Sequence, residues 1–520
     1  MFAARRSGSG DAQFWVDTCF TEIDGTGVAD ESWDQSTAGI VAASGLVHEY
    51  THWQQQHGTR FGVFVFAISH RRQEIVECFL RKLRIDRRAE ALERWRAGQP
   101  LWPFTTSEEY GAFVDAEDRT LRRLVDHWRA LFALEKMMLE PKSSWIGHFA
   151  PIELFRLADL HLGGRASIAE IAIGDDPRFE VDKQGTDTGS MSLTVSAPLS
   201  CLALQEAAAF LNQREFYANS DTLEAPNATD REREVAALHA TIWNDHLDDP
   251  SGLYVDCIKY FDGESGFDIN EESALAALLA ILDIALQAPV PPFAVFDDLF
   301  PASAPAKFKF EHLRLCHPVY RFTALVDALR ATGLPRDAHA FLFDRRTYEK
   351  FCARLRRKAG LQSRALRVRA DPIVEGNDGV WMTLPDSPLA LVKNLVFAHH
   401  VSAARLRQTF PSSFAAPVAN LLYSPNLRRH LTTERTESVF IAPLQIIDGV
   451  GWLSGIATDN YFDVLYSAAH GRALTSLLSN SGEYFQGGLP RDASHFAVVE
   501  RAQRELERRL DARCASATSP

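Results

Sequence analysis

The stretch LVHEYTHWQQQHG, residues 46–58, holds His48, Glu49 and His52 at a spacing that can do metal chemistry. Residues four apart on an α-helix lie one turn above each other on the same face, so His48 and His52 project together, as two imidazoles must to share one ion. Glu49 is turned by about 100° from His48 and stands beside that ion, not under it. A carboxylate there can take a proton from a water on the metal. The spacing therefore encodes two ligands and a base, H-E-x-x-H. Buried without a metal, the same three side chains need other partners for their polar atoms.

A catalytic zinc takes three protein ligands and leaves one position for water. The continuation H-E-x-x-H-x-x-G-x-x-H is absent, because Gln55 and Gly58 stand where it requires glycine and histidine. Asp187, in KQGTDTGSMS, follows Gly185 and Thr186 but lacks the spacing and the tyrosine of an aspartate-ligand segment. The remaining arrangement takes a glutamate from a second helix, and PLSCLALQEAAAFLNQREFYA (198–218) offers two. Leu202, Glu206, Ala209 and Phe210 form one helical stripe, which puts Glu206 on an apolar face where an unpaired carboxylate is costly. Glu215, nine residues on, is about 900° further round and points the opposite way. Ala207, Ala208 and Ala209 let this helix approach another closely. Glu206 is the expected third ligand, with Glu215 and Asp187 as the alternatives.

HEYTHWQQQ followed by LQEAAAF resembles the H-E-Y-x-H-x-x-Q … E-x-x-A pattern of bacterial glutamate-zincin metallopeptidase-like proteins, over about residues 35 to 330. The resemblance implies a zincin-like core with His48, His52 and Glu206 as metal ligands and Glu49 as the base. Gln55 matches the glutamine of the first motif and carries no assigned role. LCHPVYRFTAL (315–325) is also similar to segments of such chains. Many proteins of this kind belong to bacterial toxin or phage-defence settings, which implies a narrow-specificity enzyme acting on a protein.

The elements that must position these residues are mostly helical. The 3.6-residue pattern predicts helices over 37–57, 60–98, 107–139, 150–162, 199–217, 230–246, 271–288, 310–332 and 346–359. Strand signals are few: QFWVDTCFTEI (13–23), SMSLTVSA (190–197) and VFIAPLQII (439–447). The expected fold class is mainly α (α+β), a zincin-like metallopeptidase core with a few short strands and a helical C-terminal region. The proline-rich stretch 287–308 cannot be a long helix and reads as a linker or a surface loop. A boundary near 335 then divides 1–335, the metallopeptidase domain, from 336–520, a helical domain for substrate or partner binding.

The 520 residues carry a net charge of −13, which argues against wholesale coating of nucleic acid. Seven scattered cysteines with no C-x-x-C pair read as reduced thiols, none with the surroundings of a nucleophile. Two N-terminal arginines lead into no apolar segment, and the run ALAALLAILDIALQAPV is broken by Asp283. These readings point to a soluble, cytoplasmic protein with no membrane contact. Residues 344–369 carry ten basic side chains, read as a solvated helix face, with a nucleic acid or an acidic partner as the alternative. The arginine-rich run 71–96 has interspersed glutamates and reads as solvent-facing. DGESGFDINEE (262–272) imitates a calcium loop but lacks its third and final acidic ligands. His312, His317, His399 and His400 read as core or surface histidines.

The function these residues imply is that of a zinc-dependent peptidase acting on a protein or peptide, with scope for a regulatory protein partner. Tyr217 and His239 are candidates for an oxyanion donor. A rival reading is a non-catalytic helical module with a relic metal site, binding a protein or nucleic acid through 344–369. A zinc hydrolase of a non-peptide amide is not separable from the first by sequence.

Overall fold

The computed structural model describes residues 13–15, 20–24, 37–83, 119–147, 151–162, 181–185, 191–220, 252–293, 315–338, 341, 344–361, 444–447 and 450–453, with scattered positions in 87–97, 234–248, 387–404, 466–474 and 501–508. These residues are mainly helical. Two short antiparallel strands, β1 (Gln13–Trp15) and β2 (Phe20–Asp24), form a hairpin where the sequence suggests one strand. There follow α1 (Thr37–Gly58), α2 (Arg60–Lys82), α3 (Arg119–Leu139), β3 (Lys142–Gly147), α4 (Pro151–His161), β4 (Val181–Gly185) and β5 (Met191–Ser196). Beyond them lie α5 (Cys201–Ser220), α6 (Asp256–Ser265), α7 (Glu272–Leu286), α8 (Pro318–Thr332), α9 (Arg345–Lys358), β6 (Leu444–Ile447) and β7 (Val450–Leu453).

The strands form two small antiparallel sheets. One has the order β1-β2-β7-β6 and the other β3-β5-β4. The first sheet joins β2 to β7, with Thr21 opposite Leu453, so packing runs across the boundary expected near 335. The same is true of α9, whose Tyr348 hydroxyl donates to Asp283 Oδ2 of α7 (3.0 Å). Helix α7 is apolar almost all round and buried from Ala274 to Leu286, as a helix without a polar face must be.

Helices α1 and α2 meet at the single residue Thr59. Its extended backbone (φ −114°, ψ 149°) caps α2, and its hydroxyl accepts from the Gly62 amide (3.0 Å) while donating to the Gln55 carbonyl (2.5 Å). The corner is tight enough that a Cβ on Gly62 would lie 2.2 Å from the Gln55 carbonyl oxygen. Helix α2 then ends at Lys82, well before residue 98. Arg88 donates to the carbonyls of Leu83 (2.9 Å) and Arg81 (3.0 Å), satisfying acceptors left open at that end.

The arginine-rich run is not solvent-facing where the structure describes it in α2. Arg72, Glu74 and Glu77 are buried, with Arg71 paired to Glu74 (2.7 Å), Arg81 to Glu77 (2.9 Å) and Arg72 to Glu135 of α3. Glu74 and Glu77 neutralise Arg71 and Arg81, the latter exposed with Lys82 at the helix end, while Glu135 of α3 meets the buried Arg72. Near the proline-rich stretch, Ala288, Val290 and Phe293 are buried, and Gln287 donates to the Gly58 carbonyl (3.0 Å), so residues 287–293 are laid across the core. Residues 294–308 lie outside the described residues.

LCHPVYRFTAL is a set of struts. The His317 ring accepts from the Val319 amide (3.3 Å) and bonds through Nε2 to the Met137 carbonyl at the end of α3 (3.1 Å). Tyr320 donates to the Ser196 carbonyl at the end of β5 (2.8 Å). The buried guanidinium of Arg321 donates to the carbonyls of Leu315 (3.1 Å) and Ile284 (3.0 Å), which closes α8 against α7. DGESGFDINEE contributes the end of α6 and the turn after it, with Asp262 and Asp268 accepting from the Ile269 (3.3 Å) and Asn270 (2.9 Å) amides. Its acids close the backbone of that turn.

Candidate metal centre

Helices α1 and α5 pack along each other, joined by buried polar bonds. Gln213 donates to the Ser44 hydroxyl (3.1 Å), Asn212 to the Thr51 hydroxyl (3.0 Å), and Gln55 to the Gln205 carbonyl (2.8 Å). All six residues are buried, so a slip of one helix along the other would strand several polar groups at once. Ala207 and Ala208, fully buried, bring the two backbones close. The register so fixed places residue 206 opposite residues 48 and 52.

There His48, His52 and Glu206 converge. The Nε2 atoms of the two histidines are 3.1 Å apart, and each lies 3.3 Å from Glu206 Oε2. Around a tetrahedral ion with bonds of about 2.0–2.1 Å, ligand atoms stand about 3.3 Å from one another. The triangle matches that spacing, and among the described residues this is the one group of three or more such side chains close enough to hold a metal ion. Glu206 Oε2 makes no well-formed hydrogen bond to either ring, although it lies 3.3 Å from both Nε2 atoms. The donor set, two imidazoles and one carboxylate, suits zinc among other divalent metals.

Electrostatics tighten the group. Burial pulls the His52 pKa down, but the Glu206 carboxylate beside it, helped by Glu49, lifts it to about 9. Burial raises Glu206 in turn, yet the two imidazoles hold its carboxyl well below the usual range. Glu49 is buried on the next helical position. Helix α5 is covered on most of its circumference, and Leu202 and Glu206 mark the side where exposure begins. Ala209 and Phe210 of the stripe are nonetheless buried, and the Glu206 side chain itself keeps 14% of its surface accessible.

Sequence reasoning missed the surroundings. The Tyr254 ring tilts against His48 (centroids 5.9 Å apart) and against Phe210 (6.2 Å), which stacks on Trp243 (5.4 Å). Tyr254 sits in an irregular turn after Gly252, whose φ of 66° suits glycine, and no local pattern announces it. At the end of α1, Trp53 donates to His399 Nδ1 (2.6 Å), and His400 Nδ1 donates to the His57 carbonyl (2.5 Å), so both late histidines are core pieces that wrap the metal helix. Asp187, His239 and His312 lie outside the described residues, as do the side chains of Glu215 and Tyr217.

No family model, curated protein or solved structure matches the chain. Among the described residues, no helix is long and apolar enough to cross a membrane.

Proposed function

We propose that this protein is a zinc-dependent peptidase acting on a protein or peptide substrate. The observation that carries the reading is the triangle of His48 Nε2, His52 Nε2 and Glu206 Oε2, with edges of 3.1–3.3 Å, beside a buried glutamate at the next helical position. Zinc held there would lower the pKa of a water and polarise a substrate carbonyl. With a metal held there, Glu49 would take the proton of an attacking water and deliver it to the leaving amine. Tyr254, beside His48, joins Tyr217 and His239 as a candidate donor to a developing oxyanion. A zincin-like core, a cytoplasmic location and a narrow-specificity protein substrate belong to the same proposal.

Purified protein should carry close to one zinc per chain. Glu49→Gln should keep that zinc and lose hydrolysis of a casein or peptide-library substrate by about 100-fold or more, since an amide cannot accept the proton. A metal-free preparation that remains active, or a Glu49→Gln enzyme as fast as wild type, sinks the reading.

One observation favours a second reading, a binding module. The face of α9 opposite buried Tyr348, Phe351 and Leu355 exposes Arg345, Arg346, Lys350, Arg354, Arg356, Arg357 and Lys358 in an otherwise acidic chain. A non-catalytic metal site has no use for a base, and Glu49 counts for the peptidase.

A further inference from the structure

Gln55 makes two bonds with one amide. Its Nε2 lies 2.8 Å from the carbonyl oxygen of Gln205, and its Oε1 lies 2.9 Å from Nδ1 of His52. Both bonds are sheltered, because Gln55 is fully buried. The chemistry of the two ends leaves one arrangement. A carbonyl only accepts, so the amide must turn its NH₂ toward Gln205 and its oxygen toward His52. That oxygen also only accepts, so His52 must carry its proton on Nδ1. In the neutral ring the lone pair then sits on Nε2, the atom that faces His48 Nε2 and Glu206 Oε2.

On the zinc reading above, we infer that Gln55 is a positioning residue. It selects the His52 tautomer able to ligate, and it ties that choice to the stretch of α5 that bears Glu206. The anchor it uses, the Gln205 carbonyl, belongs to the residue directly before Glu206. A single side chain thereby orients one ligand, His52, from an anchor that lies beside another. Helix α1 supplies Gln55 at the position after His52 where a side chain can reach back along the same face, three residues on. Gln55 is itself fixed by the corner that follows, where the Thr59 hydroxyl holds the Gln55 carbonyl (2.5 Å). An orienting partner of this kind raises ligand basicity as well as fixing ring direction, and its loss typically costs about 10–100-fold in metal affinity.

The test separates the two bonds. Gln55→Glu keeps an acceptor for His52 Nδ1 and gives up the donor to Gln205. Gln55→Leu gives up both at similar volume. Zinc affinity, measured on the full chain by competition with a chromophoric chelator, should fall by about 10–100-fold in Gln55→Leu and stay within about threefold of wild type, or tighten, in Gln55→Glu. The cobalt-substituted proteins should show the same split, with the visible bands of Gln55→Glu matching wild type and those of Gln55→Leu shifted. A role in packing alone would move both variants alike. Equal affinity in wild type and Gln55→Leu overturns the inference and leaves the zinc reading standing. So does a Gln55→Glu as weak as Gln55→Leu, and if Gln55→Leu does not fold, a tenfold loss in Gln55→Glu overturns it by itself. A wild-type protein that takes up no zinc overturns both readings.

Discussion

Glu206 Oε2 lies 3.3 Å from His48 Nε2, across the seam between two helices far apart in the chain. The distance is set by the register of α1 against α5, which buried bonds from Gln213, Asn212 and Gln55 fix on both sides of it. Glu206→Ala should therefore leave the helices in place, since alanine suits a helix and the bonds remain. Zinc affinity should fall by more than about 100-fold, beyond the ~10–100-fold that loss of an orienting partner costs. Glu215→Ala, nine residues further along the same helix, should change zinc content little. Chelator competition on both variants, with far-UV dichroism as the fold check, makes the comparison. A reversed pattern would reassign the ligand to Glu215.

Gly62 tests whether the corner after α1 supports the site. A Cβ there would come within 2.6 Å of both the Gln56 Cα and its carbonyl oxygen, all backbone atoms that cannot swing aside. Gly62→Ala should cost about 1–3 kcal/mol, as overpacking does, and lower the melting temperature by several degrees. Zinc affinity should weaken with it, because the atom pushed is the Gln55 carbonyl. Gly263→Ala provides the contrast. Its Cβ would meet nothing within 4 Å on helix α6, so stability should hold or improve by up to about 1 kcal/mol. If both alanines melt alike, the corner is not tight.

Arg72 and Glu135 form a buried ion pair between α2 and α3, with the guanidinium against the rings of Phe132 (5.1 Å) and Trp128 (5.6 Å). Removing one partner strands the other charge. Glu135→Leu should destabilise by about 3–5 kcal/mol, whereas Arg72→Met with Glu135→Leu should recover much of that loss, since an apolar replacement can fill the space. Urea unfolding midpoints followed by dichroism, with Arg72→Met alone included, would rank the four proteins. A double variant as weak as the sum of the singles would mean the charges are uncoupled.

Local pattern carried the metal helix well. The expected 37–57 became Thr37–Gly58, because an unbroken apolar periodicity with no proline leaves few alternatives. Glu206 was legible from helix geometry as a carboxylate on a largely covered stripe, with Ala209 and Phe210 buried beside it. What failed was everything set by distant contacts. Periodicity cannot tell a solvated charged face from a buried one whose arginines meet glutamates, so α2 was misread. The strands β3, β4 and β7 exist through their pairing partners, and KSSWIG or VGWL alone gives little hint of them. Gln55 was visible as the match to a motif glutamine. Its role was not, because the Gln205 carbonyl that orients it lies on another element.

Buried and half-buried histidines set an acid limit on the fold, and burial lowers His127 to about 4 and His161 to about 3 among them. His317 and His399 are pressed by burial down to about 4, and His57 well below its ordinary 6.5 by burial and by His399 and His400. In the unfolded chain each returns to about 6.5. The folded state therefore keeps neutral rings that the unfolded chain would protonate. Their contribution is intact above about pH 6.5 and is lost progressively as pH falls toward 4, with the unfolded state binding more protons throughout that window. By linkage, His317 and His399 would each withdraw up to about 2 kcal/mol at pH 5. Melting temperature should thus drop steeply between pH 7 and 5. His317→Asn isolates one of them, because asparagine can still cap α8 by accepting from the Val319 amide, and it does not titrate. That variant should lose some stability at pH 8 yet show a shallower decline on acidification, by about one proton's worth of slope. A decline parallel to wild type would mean that His317 is protonated in the folded protein and that the acid limit lies elsewhere.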